Sequence, residues 1–159
     1  MGHAVGGAAR GGSTVRAGLG KSPGMPLAAL PDPRAGVPGG RRAKLLVVDD
    51  VPLMRGGISR VLRRLGYRVL EASSALEVQR LTLRESDIRL LFLDLSPLEI
   101  SDLEFVAWFR LRHPDIKVVV AATSIWDLSF YPGVTREITL LAKPFTPVEL
   151  ARIVRRALG

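Results

Sequence analysis

The sequence predicts an α/β domain over residues 44–159, a five-stranded parallel sheet, doubly wound, with helices on both faces. Three observations predict it. Apolar runs of strand length alternate with segments of helical periodicity five times, the signature of right-handed crossovers between parallel strands. The first run is apolar almost throughout, as a strand buried on both faces must be. The first, third and fifth runs each lead into charged residues, Asp49-Asp50, Asp94 and Lys143. In such folds the ligand site lies beyond the carboxyl ends of the strands.

Each element has its own justification. Lys44-Leu45-Leu46-Val47-Val48 reads as a buried strand that stops at Asp49-Asp50. Pro52 suits a first helical turn, and Leu53, Met54, Ile58, Val61, Leu62 and Leu65 then recur at helical spacing. Gly56-Gly57 weakens this helix and Gly66 can end it. Tyr67 to Ala72 is the second strand, and Ser74-Ala75-Leu76-Glu77 a capping box for a helix to about Arg84. Ile88 to Leu93 is the third strand, followed by Asp94. Ser101-Asp102-Leu103-Glu104 forms a second capping box before a helix to about Arg112. Ile116 to Ala122 and Ile138 to Ala142 are the last two strands. Between them belongs a fourth helix, but residues 124–137 contain Trp126, Phe130, Tyr131 and the turn pair Pro132-Gly133. That helix is expected to be irregular or shortened, exposing some of Trp126, Leu128, Phe130 and Tyr131. Thr146-Pro147-Val148-Glu149 combines a third capping box with a first-turn proline and opens the last helix.

Residues 1–43 have a different texture. They hold 11 of the 16 glycines, 5 of the 11 prolines and no Phe, Tyr or Trp. Arg10, Arg16, Lys21, Arg34, Arg41 and Arg42 against Asp32 give them +5 of the chain's +8. Such a Gly/Pro/Ala/Arg-rich segment cannot bury enough apolar surface to offset its ordering entropy, so a disordered tail is expected. A basic arm for nucleic acid or anionic lipid, or a transit peptide, are the other readings of this composition. The absence of cysteine excludes disulfides, thiolate chemistry and cysteine-bound zinc. His3 and His113 are too few for a histidine metal cluster. No apolar stretch approaches the roughly 18 residues of a membrane span, and no secretory signal opens the chain. A cytoplasmic protein without a membrane span is expected.

The strand-end residues carry the chemistry. Asp49, Asp50, Asp94 and Lys143 would meet in one cleft if those strand ends are neighbours. A lone acid at a strand end can simply cap the next helix, but gathering three carboxylates is costly without a cation. Carboxylate oxygens suit a hard divalent ion such as magnesium. An aspartate can then act as a nucleophile toward phosphorus, with lysine as a point charge for the transferred group. Lys143 precedes Pro144, which disfavours helical geometry and keeps the lysine at a strand end.

Leu46-Val47-Val48-Asp49-Asp50, Leu93-Asp94-Leu95 and Lys143-Pro144-Phe145 resemble the motifs of bacterial response-regulator receiver domains, with family-like spacing over about residues 44–158. The resemblance implies the strand order 2-1-3-4-5. It implies that Asp94 is the phosphoacceptor, that Asp50 and Asp94 ligate Mg2+ or Mn2+ directly, that Asp49 acts largely through water, and that the main-chain carbonyl of Ser96 is a further ligand. Lys143 would contact the phosphoryl group, and its bond to Pro144 would be cis, a geometry that proline permits. The implied partners are a histidine kinase or histidine phosphotransfer protein and a downstream protein target. The domain would be a phosphoacceptor rather than an enzyme acting on other substrates.

The sequence also departs from that pattern. An ungapped match puts Ala122 where receivers carry Thr or Ser at the end of strand four, and a one-residue slip supplies Thr123 instead. The aromatic switch position, three residues before the lysine, is Leu140. Pro97 comes one residue early, and Ser101-Asp102 replaces Asp-Gly. These departures leave a second reading, a degenerate receiver serving as a phosphorylation-independent binding module. Haloacid-dehalogenase-type enzymes need an acid two residues after the nucleophile, where Ser96 stands, and no Gly-rich nucleotide loop follows the first strand. With the chain ending at Gly159, a stand-alone regulator is expected, with no DNA-binding domain. The first helix carries Arg55, Arg60, Arg63 and Arg64, which suits either partner docking or an ordinary solvated face.

Overall fold

The computed structural model of the chain describes residues 43–95, 100–123 and 138–159. The expected tail up to residue 42, Ser96, Pro97 and the crossover at 124–137 lie outside the described residues.

Five strands, β1 (Lys44–Val48), β2 (Arg68–Ala72), β3 (Ile88–Leu95), β4 (Lys117–Ala122) and β5 (Ile138–Ala142), form one parallel sheet in the order β2-β1-β3-β4-β5. The described helices are α1 (Pro52–Arg64), α2 (Ala75–Arg84), α3 (Ile100–Arg112) and a last helix, Pro147–Leu158. Among the described residues no helix is long and apolar enough to cross a membrane.

The sheet separates two cores, and strand alternation assigns each residue to one of them. On one face Leu45, Val47, Leu90, Phe92, Val119 and Ala121 pack against Ile58 and Leu62 of α1 and Leu150 and Val154 of the last helix. On the other face Leu46, Leu91, Leu93, Val118 and Val120 pack against Val78 of α2 and Val106 and Phe109 of α3. Removing each such Val, Leu, Ile or Phe side chain from water stabilises the fold by about 1.5–3 kcal/mol before entropic costs.

Local chemistry sets the helix ends. Pro52 occupies the first turn of α1. The helix closes in a Schellman arrangement: Gly66, at φ 92°, donates to Arg63 O, and Tyr67 N–H donates to Leu62 O at 3.2 Å. Thr146 and Glu149 form a complete capping box. The box expected at Ser74–Glu77 is half formed. Ser74 Oγ accepts from Glu77 N–H, but the Glu77 carboxylate turns back to Ser73 instead. Helix α3 begins at Ile100, so Ser101 lies inside it rather than at its cap. Strand β3 runs past Leu93, because Asp94 and Leu95 still pair with Ala121 and Ala122.

Candidate functional site

Strand alternation gathers the expected residues on one face. Asp94 shares the parity of Leu90 and Phe92, and Asp49, just beyond β1, shares that of Leu45 and Val47. Lys143, just beyond β5, continues the parity of Leu141. All three therefore belong to the α1/last-helix face, at the carboxyl edge of the sheet. Thr123 follows β4 with the parity of Val119 and Ala121, the same face, whereas Ala122 has that of Val118 and Val120, the opposite one. Thr123 is exposed and lines one cavity with Lys143, while Ala122 is buried.

Asp94 and Asp49 are both buried, at 9% and 5% exposure. The ammonium of Lys143 is ion-paired with Asp94 Oδ1. Neither Asp94 carboxylate oxygen takes an aligned hydrogen bond, and Oδ2 lacks an ion-pair partner as well, among the described residues. Asp49 Oδ1 accepts from Val51 N–H at 2.8 Å. Burial pushes the Asp49 carboxyl above the ordinary carboxylate range; the Val51 hydrogen bond opposes this, Asp94 and Asp50 add to it, and Lys143 opposes it. Asp50 is exposed. The peptide between Lys143 and Pro144 is cis.

The carboxylates of Asp49, Asp50 and Asp94 suit a hard cation: all are anionic oxygen donors, and a buried carboxylate left short of partners among the described residues is the kind of group a cation satisfies. They do not form a ready-made cage of three ligating side chains among the described residues. A hydrated ion held by one or two carboxylates and a carbonyl needs no such cage. The expected carbonyl ligand, on Ser96, lies outside the described residues.

Three features were not read from the sequence. Arg55, grouped there with the solvated arginines, is largely buried and donates to Asp49 O at 2.6 Å. Its place six residues after Asp49, one turn into α1, was the available signal. A cavity of about 400 Å³ opens beside Lys143, lined by Leu53, Met54, Gly57, Ile58 and Phe145 among others. His113 is half-buried against Phe109 with ring centroids 4.7 Å apart, and burial, with Arg112, lowers its pKa. Trp108 is half-buried beside Phe105. Leu140 packs half-buried on the α2/α3 side.

The sequence model of the response regulator receiver domain matches residues 45–155. A chemotaxis protein CheY homolog of Campylobacter jejuni is 32% identical over 120 residues, covering 73% of this chain and 92% of that protein. Chemotaxis protein CheY1 of Helicobacter pylori is also 32% identical over 120 residues, covering 73% of this chain and 97% of its own. The crystal structure of chemotaxis protein CheY4 of Vibrio cholerae superposes with a TM-score of 0.65 at 25% identity, over 74% of this chain and all of that one (100%).

Proposed function

The chain belongs to the response-regulator receiver family, and from that premise we propose that it accepts a phosphoryl group on Asp94 from a histidine kinase or histidine phosphotransfer protein. It signals in the cytoplasm by contact with a downstream protein. The observation that carries this reading is the Asp94 carboxylate, buried, ion-paired through Oδ1 with Lys143 and left without a partner at Oδ2 among the described residues.

Each residue has a defined task. Asp94 Oδ2 is the nucleophile: it forms the new bond to phosphorus as the bond to the donor's imidazole nitrogen or acyl oxygen breaks, and the bonding pair leaves with the donor. Lys143 neutralises charge on the phosphoryl oxygens and holds Asp94 Oδ1 still, so that the lone pair on Oδ2 is aimed before the donor arrives. Thr123 offers a hydroxyl on the same face. Asp49, Asp50 and Asp94, with the Ser96 carbonyl, would hold Mg2+ or Mn2+. When bound, that ion supplies positive charge against which phosphoryl oxygens and carboxylates can approach one another. On this reading the domain is a phosphoacceptor rather than an enzyme acting on other substrates.

The test is direct. Treated with acetyl phosphate and magnesium, the full chain should gain the mass of one phosphoryl group, and Asp94→Asn should gain none. A chain that stays unmodified while retaining partner binding would establish the degenerate, phosphorylation-independent reading that Leu140 at the switch position keeps open.

A further inference from the structure

Arg55 is tied into the site through its surroundings rather than through the carboxylates. Its Nη1 donates to the main-chain carbonyl of Asp49 at 2.6 Å, and its Nε lies 3.4 Å from Glu71 Oε2 on β2. Glu71 is itself held: Arg63 Nη2 donates to its Oε1 at 2.8 Å and to Val69 O at 3.1 Å. The Arg55 side chain is only 17% exposed, so this is not a fraying surface pair.

The carbonyl it holds is a sensitive one. Strand β1 ends at Val48, which pairs with Ala72 and Leu93, and Asp49 is the first residue beyond the ladder. Its N–H donates to Ala72 O at 3.2 Å, its carboxylate turns to Val51 N–H, and its carbonyl is taken by Arg55. The main chain that delivers Asp49 and Asp50 to the site is therefore fastened to β2 at one end and to the first turn of α1 at the other.

We propose that Arg55 is a positioning residue of the cation site, clamping the Asp49–Asp50 peptide to Glu71 and so setting the affinity for a divalent ion. This rests on the reading that Asp50 and Asp94 hold the ion. A rival effect has the opposite sign: a guanidinium near a cation repels it, so loss of its charge alone would tighten binding. Arg55→Lys separates the two, because an ammonium keeps the charge but, as a single point donor, cannot span both the carbonyl and the Glu71 carboxylate.

The experiment is a Mn2+ titration of the full, unphosphorylated chain, read by loss of the electron-paramagnetic-resonance signal of free Mn2+. Wild type should bind and Asp50→Asn should bind far more weakly. Arg55→Lys should weaken binding about tenfold, the usual size of an outer-shell effect, while the metal-free melting temperature changes little. Glu71→Gln should weaken it too, and the double variant should be no weaker than Arg55→Lys alone, because both act through one clamp. If Asp50→Asn loses Mn2+ but Arg55→Lys binds as wild type does, this inference alone is overturned. Should Arg55→Lys not fold, unchanged Mn2+ affinity in Glu71→Gln overturns it equally. A wild type that does not bind Mn2+ overturns the reading of the site and the inference with it.

Discussion

Lys143, at the end of β5, reaches across β4 to ion-pair with Oδ1 of Asp94 on β3. The pair places a positive charge beside a buried carboxylate whose Oδ2 has no partner among the described residues. Lys143→Met should cut the rate of phosphoryl gain from acetyl phosphate by about a hundredfold, the scale seen when one charge-stabilising donor is removed. It should also destabilise the unmodified domain by about 1–3 kcal/mol, because a buried carboxylate loses its counter-charge. Stopped-flow phosphorylation and urea unfolding measure the two effects. A rate within threefold of wild type would contradict the role assigned to the lysine.

Strand parity puts Thr123 on the face of Asp94 and Ala122 on the opposite face, against the ungapped reading of the motif. Thr123→Ala should therefore slow phosphorylation about tenfold, through loss of a hydrogen bond to a charged group. Ala122→Ser, which places a hydroxyl in the buried α2/α3 side, should leave the rate near wild type but cost about 1–3 kcal/mol of stability. The reverse pattern would show that the hydroxyl position belongs to residue 122.

The raised pKa of Asp49 predicts a pH dependence of stability. The folded chain holds a proton on Asp49 at pH values where the unfolded chain, with the ordinary value of 3.8, has lost it. The folded state then binds more protons than the unfolded one, so this group's contribution falls as pH rises through its folded pKa. Ionised Asp49 costs stability near neutral pH, and the cost disappears as pH falls toward 3.8. Without metal, Asp49→Asn keeps an acceptor for Val51 N–H and should melt above wild type near pH 7, with the gap closing in acid. Comparing the two chains cancels Glu77 and Glu149, whose pKa values are lowered by backbone hydrogen bonds from Ser73 and Thr146 and whose stabilisation is lost in acid. Magnesium should reverse the order at neutral pH, since it favours the ionised form. A gap independent of pH would mean that Asp49 is not the titrating group.

Much of this was legible because the fold is written in short apolar runs alternating with helical patterns. Lys44 to Val48 and Ile138 to Ala142 are strands as read, and Asp49 and Lys143 follow from where these strands end. The errors fall where a single residue has two uses. Ser101 matches a cap by its spacing to Glu104, yet the apolar Ile100 already belongs to the helix. Asp94 looked like the residue after a strand, but backbone pairing to Ala121 is indifferent to side-chain polarity and carries β3 through it. Arg55 was not read as a clamp because one of its partners is a main-chain carbonyl, and only its place one turn into α1 signalled the contact.

Composition predicts the behaviour of the first residues. With 11 glycines and no aromatic side chain among residues 1–43, they offer the core little apolar area. Deleting residues 1–40 should shift the melting temperature by less than the roughly 4 °C that about 1 kcal/mol corresponds to in a domain of this size. Phosphorylation by acetyl phosphate should also persist. A large drop in melting temperature would show that this segment packs on the domain.

Small-molecule and protein phosphodonors should depend differently on the apolar side chains beside the site. Leu53 is 84% exposed and Met54 47% exposed, and both line the cavity of about 400 Å³ beside Lys143. Their side chains contribute little to the folded core, so a paired Leu53→Ala, Met54→Ala variant should unfold at nearly the wild-type denaturant concentration. Exposed apolar side chains at the mouth of a site are positioned to be buried by a protein that approaches it. Burying them would contribute roughly 1.5–3 kcal/mol each at full burial, and less at partial burial. Transfer from a protein phosphodonor should therefore fall about tenfold or more, an effect of at least 1.4 kcal/mol. Acetyl phosphate buries neither side chain, so its rate should fall far less. Equal losses with both donors would mean that the substitutions disturb Asp94 and Lys143 themselves. No loss with either would mean that the protein donor approaches from another side of the cleft.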